Sequence, residues 1–309
     1  MSERLLRATG WASTALDTLL ALRRRPRHPT VRSPGQDKTG IHLRDPEPLE
    51  LLWCDDEILY ARYRSFAHSF WRAQELSLFR KYLDRLPPPR LDFGTGDGSF
   101  ASVLLREVEF GVDTDATALA LASRWGIYRQ LVNSTDCHIP LPDRVVQSVF
   151  SNSVLEHVAA LDAILAELAR ILAPSGVLAF TVPVRRYTEH LQFYFGAAAS
   201  DRINRESFHL NLLSEEEWMS RLRRCRFRPV LVRQYQPGQF TFWYRMFRLL
   251  GPNGLGRVPQ VPAHIWHRWG DRIVAMVRQS ITQTEFGANI FVMAERLSDN
   301  NPAASRSRR

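Results

Sequence analysis

The chain has 309 residues, 45% of them hydrophobic, so it is long enough to bury a sizeable core. Lys and Arg outnumber Asp and Glu by 41 to 32, which gives a formal net charge of +9. Three scattered cysteines exclude a disulfide framework, and no apolar run approaches the roughly 20 residues that cross a bilayer. The composition predicts a globular, cytoplasmic protein.

Both ends of the chain are rich in arginine. Such ends are either solvated tails or surfaces attracted to anionic lipid or to an acidic substrate. Residues 2–25 place apolar side chains at helical spacing, which predicts an amphipathic helix that can contact a membrane peripherally. No nucleic-acid-binding module is recognisable, so no nucleic-acid partner is expected, and the oligomeric state is left open.

Residues 89–236 alternate short apolar strands with helices. This alternation predicts an α/β fold with a doubly wound, mostly parallel sheet. Strands are expected near 90–93, 109–112, 148–151, 176–182, 228–234 and 288–294, and helices near 100–106, 116–124, 161–172 and 214–223. The other predicted segments are an amphipathic helix and flexible arm (1–48), a helical lid region (49–88), an aromatic and basic helical insertion (237–285), a last core strand (286–297) and a disordered tail (298–309).

The strongest motif runs from Leu91 to Gly98, where a short strand leads into three alternate glycines and then an apolar helix. Glycines in such a turn let the backbone approach a ligand closely, although a purely structural tight turn has the same pattern. The dinucleotide-binding fingerprint requires Gly or Ala three residues after Gly96, and Ser99 stands there. The motif therefore disfavours a nicotinamide cofactor.

Asp113 follows the next apolar stretch and is expected at the carboxyl edge of a strand, where such sheets bind ligands. A carboxylate there can accept hydrogen bonds from both hydroxyls of a ribose. Asp115 competes for this role, but its position before Ala116 is typical of a helix N-cap. We therefore predict Asp113 as the ribose ligand.

From Pro89 to Pro183 the sequence resembles the class I S-adenosylmethionine-dependent methyltransferases. The resemblance rests on the Asp-x-Gly-x-Gly-x-Gly strand-turn, the strand ending Gly-x-Asp, and the segments 133–137, 141–143, 151–158 and 171–178. It implies a Rossmann-like, seven-stranded sheet and methyl transfer from S-adenosylmethionine. The N-terminal helical extension and the helical insertion before the last strand are predicted from the sequence pattern, because the resemblance hardly covers those segments.

The resemblance also implies a set of cofactor-binding residues. The glycine turn would line the methionine and ribose parts, Asp92 would reach toward the amino group, and Asp113 would hold the ribose. Asp136 and the backbone of Cys137 would meet the adenine, while Ser151 and Asn152 would lie beneath the methionine. The full predicted set is Asp92, Gly94, Thr95, Gly96, Gly98, Asp113, Asp136, Cys137, Ser151 and Asn152.

Two further groups have alternative interpretations. In the family, the adjacent pair Glu156 and His157 braces the helix after the fourth strand, and this structural role is favoured over catalysis. Arg72, on the helix before the first strand, can pair with the cofactor carboxylate or with Glu75 three residues on.

Methyl transfer to a hydroxyl needs an aligned acceptor and a group that removes its proton, and no metal ion is expected. His209 and His190 are the predicted catalytic residues, because a histidine titrates near neutral pH and both follow the strand whose loop faces substrate in the family. Each can also be a surface or packing residue. The other candidates are Tyr187, Glu189 and His264.

The insertion carries an aromatic stripe from Phe240 to Phe247, followed by Trp266 and Trp269. Ordinary core packing, a cap over a small-molecule, glycan or lipid-linked acceptor, and a membrane-facing surface all account for it. We therefore expect O-methylation of a glycan, glycolipid or secondary metabolite. The competing hypotheses are a nucleotide-dependent oxidoreductase and a non-catalytic module on the same scaffold.

Overall fold

The structure, a computed structural model, describes residues 66–250 and 286–298 of the chain. The predicted amphipathic helix and arm, most of the insertion with His264, and nearly all of the predicted tail lie outside these described residues. Within the described part, no helix is long and apolar enough to cross a membrane.

The described residues form seven strands and the helices that connect them. The strands are β1 (Arg90–Phe93), β2 (Val108–Asp113), β3 (Tyr128–Asn133), β4 (Val146–Asn152), β5 (Leu172–Pro183), β6 (Phe227–Tyr235) and β7 (Asn289–Arg296). The α-helices are α1 (Phe66–Lys81), α2 (Ser99–Leu104), α3 (Ala116–Ala122), α4 (Leu161–Ile171), α5 (Arg185–Phe195), α6 (Ala197–Glu206), α7 (Glu215–Arg224) and α8 (Gly238–Leu250). Short 3₁₀ turns lie at Leu83–Arg85, Ser123–Trp125 and Leu155–His157.

All seven strands form a single sheet in the order β3-β2-β1-β4-β5-β7-β6. The first five are parallel, while β7 runs antiparallel to both of its neighbours. The prediction of a doubly wound, mostly parallel seven-stranded sheet is confirmed. The sequence analysis missed β3, α5 and α6, and its six predicted strands correspond to the other six.

Each central strand contributes alternate residues to two cores, because successive side chains in a strand point to opposite faces. Val149 belongs to a core shared with α4 and α7, whereas its neighbour Phe150 belongs to a core shared with α1 and α2. Val292 and Phe291 of β7 divide in the same way. Helices therefore cover both faces of the sheet. A ligand can reach the sheet only at the loops that follow the ends of the strands.

Candidate functional site

The candidate site follows from the strand order. The strands β1 and β4 pair in parallel although two strands separate them in sequence, so the direction of winding reverses between them. Open α/β sheets bind ligands at the carboxyl ends of the strands on either side of such a reversal. The turn after β1 and the segment after β4 therefore form the expected binding crevice.

The three glycines after β1 all adopt left-handed backbone conformations. Their φ angles are +77° at Gly94, +56° at Gly96 and +73° at Gly98, which disfavour any residue with a side chain. A Cβ on Gly94 would lie 2.3 Å from Val154, and one on Gly98 would lie 2.9 Å from Trp125. At Gly96 no described atom lies within 4 Å of that position. The turn therefore exposes its backbone to open space at Gly96.

Asp113 is attached to this turn. Its Oδ2 accepts a hydrogen bond from the backbone N–H of Gly96 at 2.7 Å, and its Oδ1 accepts one from the N–H of Asp115 at 2.9 Å. A carboxylate has about four acceptor positions, so capacity remains for two ribose hydroxyls. Asp115 caps α3, since its side chain accepts from the backbone N–H groups of Thr117 and Ala118. The two aspartates thus have the different positions that the sequence predicted.

Asp92 lies on β1 directly below the turn and is almost fully buried. Burial raises the pKa of Asp92 to about 7, and the negative charge of Asp113 adds to this rise. The hydroxyl of Tyr128 lowers the pKa, because it donates a hydrogen bond of 2.7 Å to the Asp92 carboxylate. Room for the Tyr128 ring depends on Gly111, where an added Cβ would lie 3.0 Å from the ring. Asp92 is therefore a buried acid that titrates near neutral pH.

This raised pKa predicts an unusual pH dependence of stability. Between the ordinary value of 3.8 and about 7, folded chains keep a proton on Asp92 that unfolded chains release. The stabilisation is complete below the ordinary pKa and is lost as the pH rises to about 7. In the parent chain, this loss should lower the free energy of unfolding by on the order of 2–4 kcal/mol, and Asp92→Asn should abolish it. Urea unfolding of both proteins at about pH 5 and about pH 8 measures the difference. Identical pH dependence in both proteins would contradict the buried-acid assignment.

The loop after β3 lies beside Asp113. The side-chain amide of Asn133 and the backbone N–H of Ser134 both donate to the carbonyl oxygen of Asp113, at 3.0 and 3.1 Å. Asp136 is exposed, and its Oδ1 accepts from the N–H of His138 at 2.9 Å, while Cys137 is half-buried. The structure therefore brings the predicted adenine-binding residues to the same sheet edge as the predicted ribose ligand.

The remaining predicted cofactor residues have side chains directed into the protein. The hydroxyl of Thr95 donates to the carbonyl oxygen of Asp92 at 3.1 Å, and Asn152 accepts from Thr181 at 2.7 Å. Ser151 is fully buried, and its hydroxyl has no hydrogen-bond partner among the described residues. These side chains support the strand ends, and their contact with a cofactor stays a prediction.

Arg72 pairs with Glu75, as one of the two interpretations expected. Its Nη1 lies 2.6 Å from Glu75 Oε2 and donates to the hydroxyl of Ser153 at 3.0 Å. Glu75 is fully buried and also accepts from Trp71, Ser153 and, at 2.9 Å, Tyr235. This network joins α1 to the end of β4, and no local sequence pattern predicted Ser153 or Tyr235 in it.

Glu156, His157 and His209 come together beyond the end of β4. The Nε2 of His157 lies 3.7 Å from Glu156 Oε1, and the centroids of the two imidazole rings are 5.4 Å apart. The carbonyl oxygen of Glu156 accepts from the N–H groups of Leu210 and Asn211, at 2.8 and 2.9 Å. Glu156 and His157, for which the sequence analysis favoured a structural role, therefore lie next to His209, a predicted catalytic residue.

Burial determines the charge of this cluster. It raises the pKa of Glu156 to about 8, an effect that a backbone hydrogen bond opposes and the nearby charge of Glu75 increases. Burial also lowers the pKa of His209 to about 4, and His157 lowers it further. Near neutral pH, Glu156 is therefore mostly protonated and His209 is uncharged. The expectation that His209 titrates near neutral pH is wrong, because burial lowers its pKa well below that range.

The other candidate bases lie on α5 or outside the described residues. Tyr187 is buried, which raises the pKa of its phenol, and its ring centroid lies 5.6 Å from that of His209. Glu189 is exposed, and His190 lies on α5 beside the first residue of α8, with its Nε2 3.5 Å from the position of an added Cβ on Gly238. Of the two predicted catalytic histidines, the structure therefore brings His209 into the cluster with Glu156.

Comparison with known proteins agrees with this geometry. Residues 91–180 match the family described as a methyltransferase domain. A structure of a S-adenosylmethionine-dependent methyltransferase from Thermotoga maritima is 17% identical, with a TM-score of 0.50, and the match covers 80% of this chain and 99% of that one. Geranyl diphosphate C-methyltransferase from Streptomyces coelicolor is 14% identical, with a TM-score of 0.49, over 75% of this chain and 82% of that one. No curated protein sequence matches the chain.

Proposed function

We propose that this chain is a class I S-adenosylmethionine-dependent methyltransferase and that it methylates an oxygen atom of a bulky, partly apolar acceptor. A glycolipid or an apolar secondary metabolite has this chemistry. The observation that carries the proposal is the Glu156–His157–His209 cluster, which lies at the sheet edge of the glycine turn and is flanked by exposed apolar side chains.

The glycine turn fits the cofactor that the family uses. When bound, S-adenosylmethionine supplies an activated methyl group on a sulfonium sulfur. The open space over Gly96 accommodates a ligand close to the backbone, and the free acceptor positions of Asp113 suit its ribose hydroxyls. Asp136 would accept from the adenine amino group. These residues hold and orient the cofactor.

The acceptor side is defined by His209 and its neighbours. Phe208 and Leu210 are 76% and 60% exposed, so they present apolar surface on both sides of the histidine. The uncharged imidazole of His209 can accept a hydrogen bond from an acceptor hydroxyl, which orients the hydroxyl, and can take up its proton as the methyl group is transferred. The combination of polar cluster and apolar rim favours an acceptor with a hydroxyl on a hydrophobic body.

Aromatic side chains pack together next to His209, beginning with Tyr187 and continuing to Trp71 and Tyr244. Trp71 lies 4.6 Å from Tyr244 and 6.0 Å from Tyr187, measured between ring centroids. Phe240 and Tyr244 are buried where α8 packs against α1 and α5. The first part of the aromatic stripe is therefore core packing, and its role as an acceptor cap is proposed only for the side chains that remain accessible.

A methyl group added at Gly96 should weaken cofactor binding. Gly96→Ala places a Cβ in the space that the ligand needs, which should cost about 1–3 kcal/mol, or about tenfold or more in affinity. Gly126→Ala is the matched control. Gly126 also has a positive φ, of +66°, and no described atom within 4 Å of an added Cβ, but it precedes β3 and therefore lies at the opposite edge of the sheet. Both changes strain the backbone by about 1–2 kcal/mol. Equal S-adenosylmethionine affinities in the two variants, measured by calorimetry, would argue against a cofactor at Gly96.

Transfer of a labelled methyl group tests the proposed function. The full chain is incubated with methyl-labelled S-adenosylmethionine and with lipid, aqueous metabolite and protein fractions, and the product is analysed by mass spectrometry. We expect an O-methyl product in the lipid or apolar metabolite fraction and none with Asp113→Ala. An N-methylated or C-methylated product, or label only in protein, would refute the proposed acceptor class.

A further inference from the structure

We propose that Glu156, His157 and His209 bind a divalent transition-metal cation of the Zn²⁺ type. Each residue offers one ligand atom, and the three atoms lie within 4.8 Å of one another. One carboxylate and two imidazoles suit zinc and similar cations, whereas Mg²⁺ prefers oxygen ligands alone. This departs from the expectation of a metal-free site.

The distances agree with a shared ion. Two ligand atoms that each lie about 2.0–2.2 Å from one ion are separated by no more than roughly 4 Å. His157 Nε2 and Glu156 Oε1 are 3.7 Å apart, which meets this limit in the present positions. The ligand atom of His209 lies within 4.8 Å of the other two, so it has to approach them by about 1 Å at most to meet the same limit.

The imidazole rings of His157 and His209 are each oriented by a hydrogen bond at Nδ1, as is usual for metal-binding histidines. Metal-binding histidines almost always donate their other ring N–H to a carbonyl or carboxylate oxygen, which fixes the tautomer. The Nδ1 of His157 lies 3.1 Å from the carbonyl oxygen of Phe208, and the Nδ1 of His209 lies 3.3 Å from Asn204 Oδ1. With a proton on each Nδ1, both Nε2 atoms have a free lone pair for a cation.

The carboxyl group of Glu156 provides independent support. Its side chain is only 3% exposed, and among the described residues no donor forms a hydrogen bond with its Oε2. A buried polar atom without a partner is costly, so such atoms point to a missing ligand. A cation that displaces the carboxyl proton and contacts both oxygens of the carboxylate would give Oε2 a partner.

The site is rigid on one side and open on the other. The side-chain amide of Asn211 donates to the carbonyl oxygens of Leu155 and Val158, at 2.9 and 2.7 Å, so the two segments that carry the ligands are joined. The side chain of His157 is 41% exposed, which leaves the cluster accessible from solvent. Three protein ligands leave a coordination position free for a water molecule or an acceptor oxygen, and the second of these rests on the proposed function.

Cation binding is tested without cofactor or acceptor. The untagged full chain is treated with chelator, then titrated with Zn²⁺ by calorimetry and with Co²⁺ by visible absorption. We expect one site per chain, with Co²⁺ bands of nitrogen and oxygen ligation, and no comparable binding of Mg²⁺. His157→Gln should weaken Zn²⁺ binding about a hundredfold, because loss of an outer partner alone costs about 10–100-fold.

His138→Gln is the matched control, since His138 Nδ1 lies 3.1 Å from Glu167 and this pair belongs to no described three-residue cluster. His209→Gln provides a second variant in case one substitution disturbs folding, which circular dichroism reports. The proposal is overturned if the parent chain binds no Zn²⁺, or if the His157 and His209 variants bind it as tightly as the His138 variant. Because these titrations need no turnover, they give an answer whether or not methyl transfer is observed.

Discussion

Replacing His209 with alanine is expected to lower methyl transfer about a hundredfold or more while leaving S-adenosylmethionine affinity unchanged. The reason is its position, since His209 lies with Glu156 and His157 between exposed apolar residues, on the side of the crevice where we propose that the acceptor binds. A group that acts only on the acceptor contributes to turnover and not to cofactor binding. Labelled-methyl kinetics and calorimetry on the same preparations measure the two quantities.

His190→Ala is the comparison for this prediction. His190 lies on α5, close to Gly238 at the start of α8, and was the second catalytic residue that the sequence predicted. We now expect its substitution to change turnover by less than about tenfold. A larger loss in His190→Ala than in His209→Ala would move the acceptor site to the start of α8.

Replacing Asp113 with alanine is expected to weaken S-adenosylmethionine binding by about 10–150-fold. The carboxylate would lose charge-assisted hydrogen bonds to the ribose, which are worth about 1.5–3 kcal/mol. The structure adds a second reason, because the same carboxylate holds the N–H of Gly96 at 2.7 Å and thereby fixes the turn over which the cofactor would lie.

Asp113→Asn separates these two contributions, since an amide oxygen can still accept from Gly96 but carries no charge. Its affinity should fall between those of the parent and Asp113→Ala. Asp115→Asn is the control, because asparagine caps a helix about as well as aspartate does. If Asp115→Asn reduced cofactor affinity as much as Asp113→Ala, the assignment of the ribose ligand would be reversed.

Local sequence patterns were sufficient for the central strands but not for the edge of the sheet. β3 was missed because it is an edge strand whose pattern is mostly polar, with Val132 as its only fully buried residue. α5 and α6 were missed because each buries only two side chains, Tyr187 and Leu191 in one, and Ser200 and Ile203 in the other. Helices with so narrow an apolar stripe give a weak periodic signal.

The residues of the candidate site likewise fall into those that local sequence patterns predict and those that they do not. The glycine turn and Asp113 were recognisable because they lie at the ends of successive strands, a relation that spacing along the chain reveals. The cluster was not, because the contact of His157 with the segment of His209 spans 51 positions and depends on how that loop folds back. The link from Tyr235 to Glu75 spans 160 positions and leaves no local trace.

Calorimetric titration of the full chain with S-adenosylmethionine and, separately, with NAD tests the central assignment most directly. The match of residues 91–180 to a methyltransferase domain, the open space over Gly96, and Ser99 in place of the third fingerprint glycine all favour S-adenosylmethionine. We predict saturable binding of one S-adenosylmethionine per chain and no binding of NAD under the same conditions. Binding of NAD with no binding of S-adenosylmethionine would contradict a methyltransferase and support an oxidoreductase.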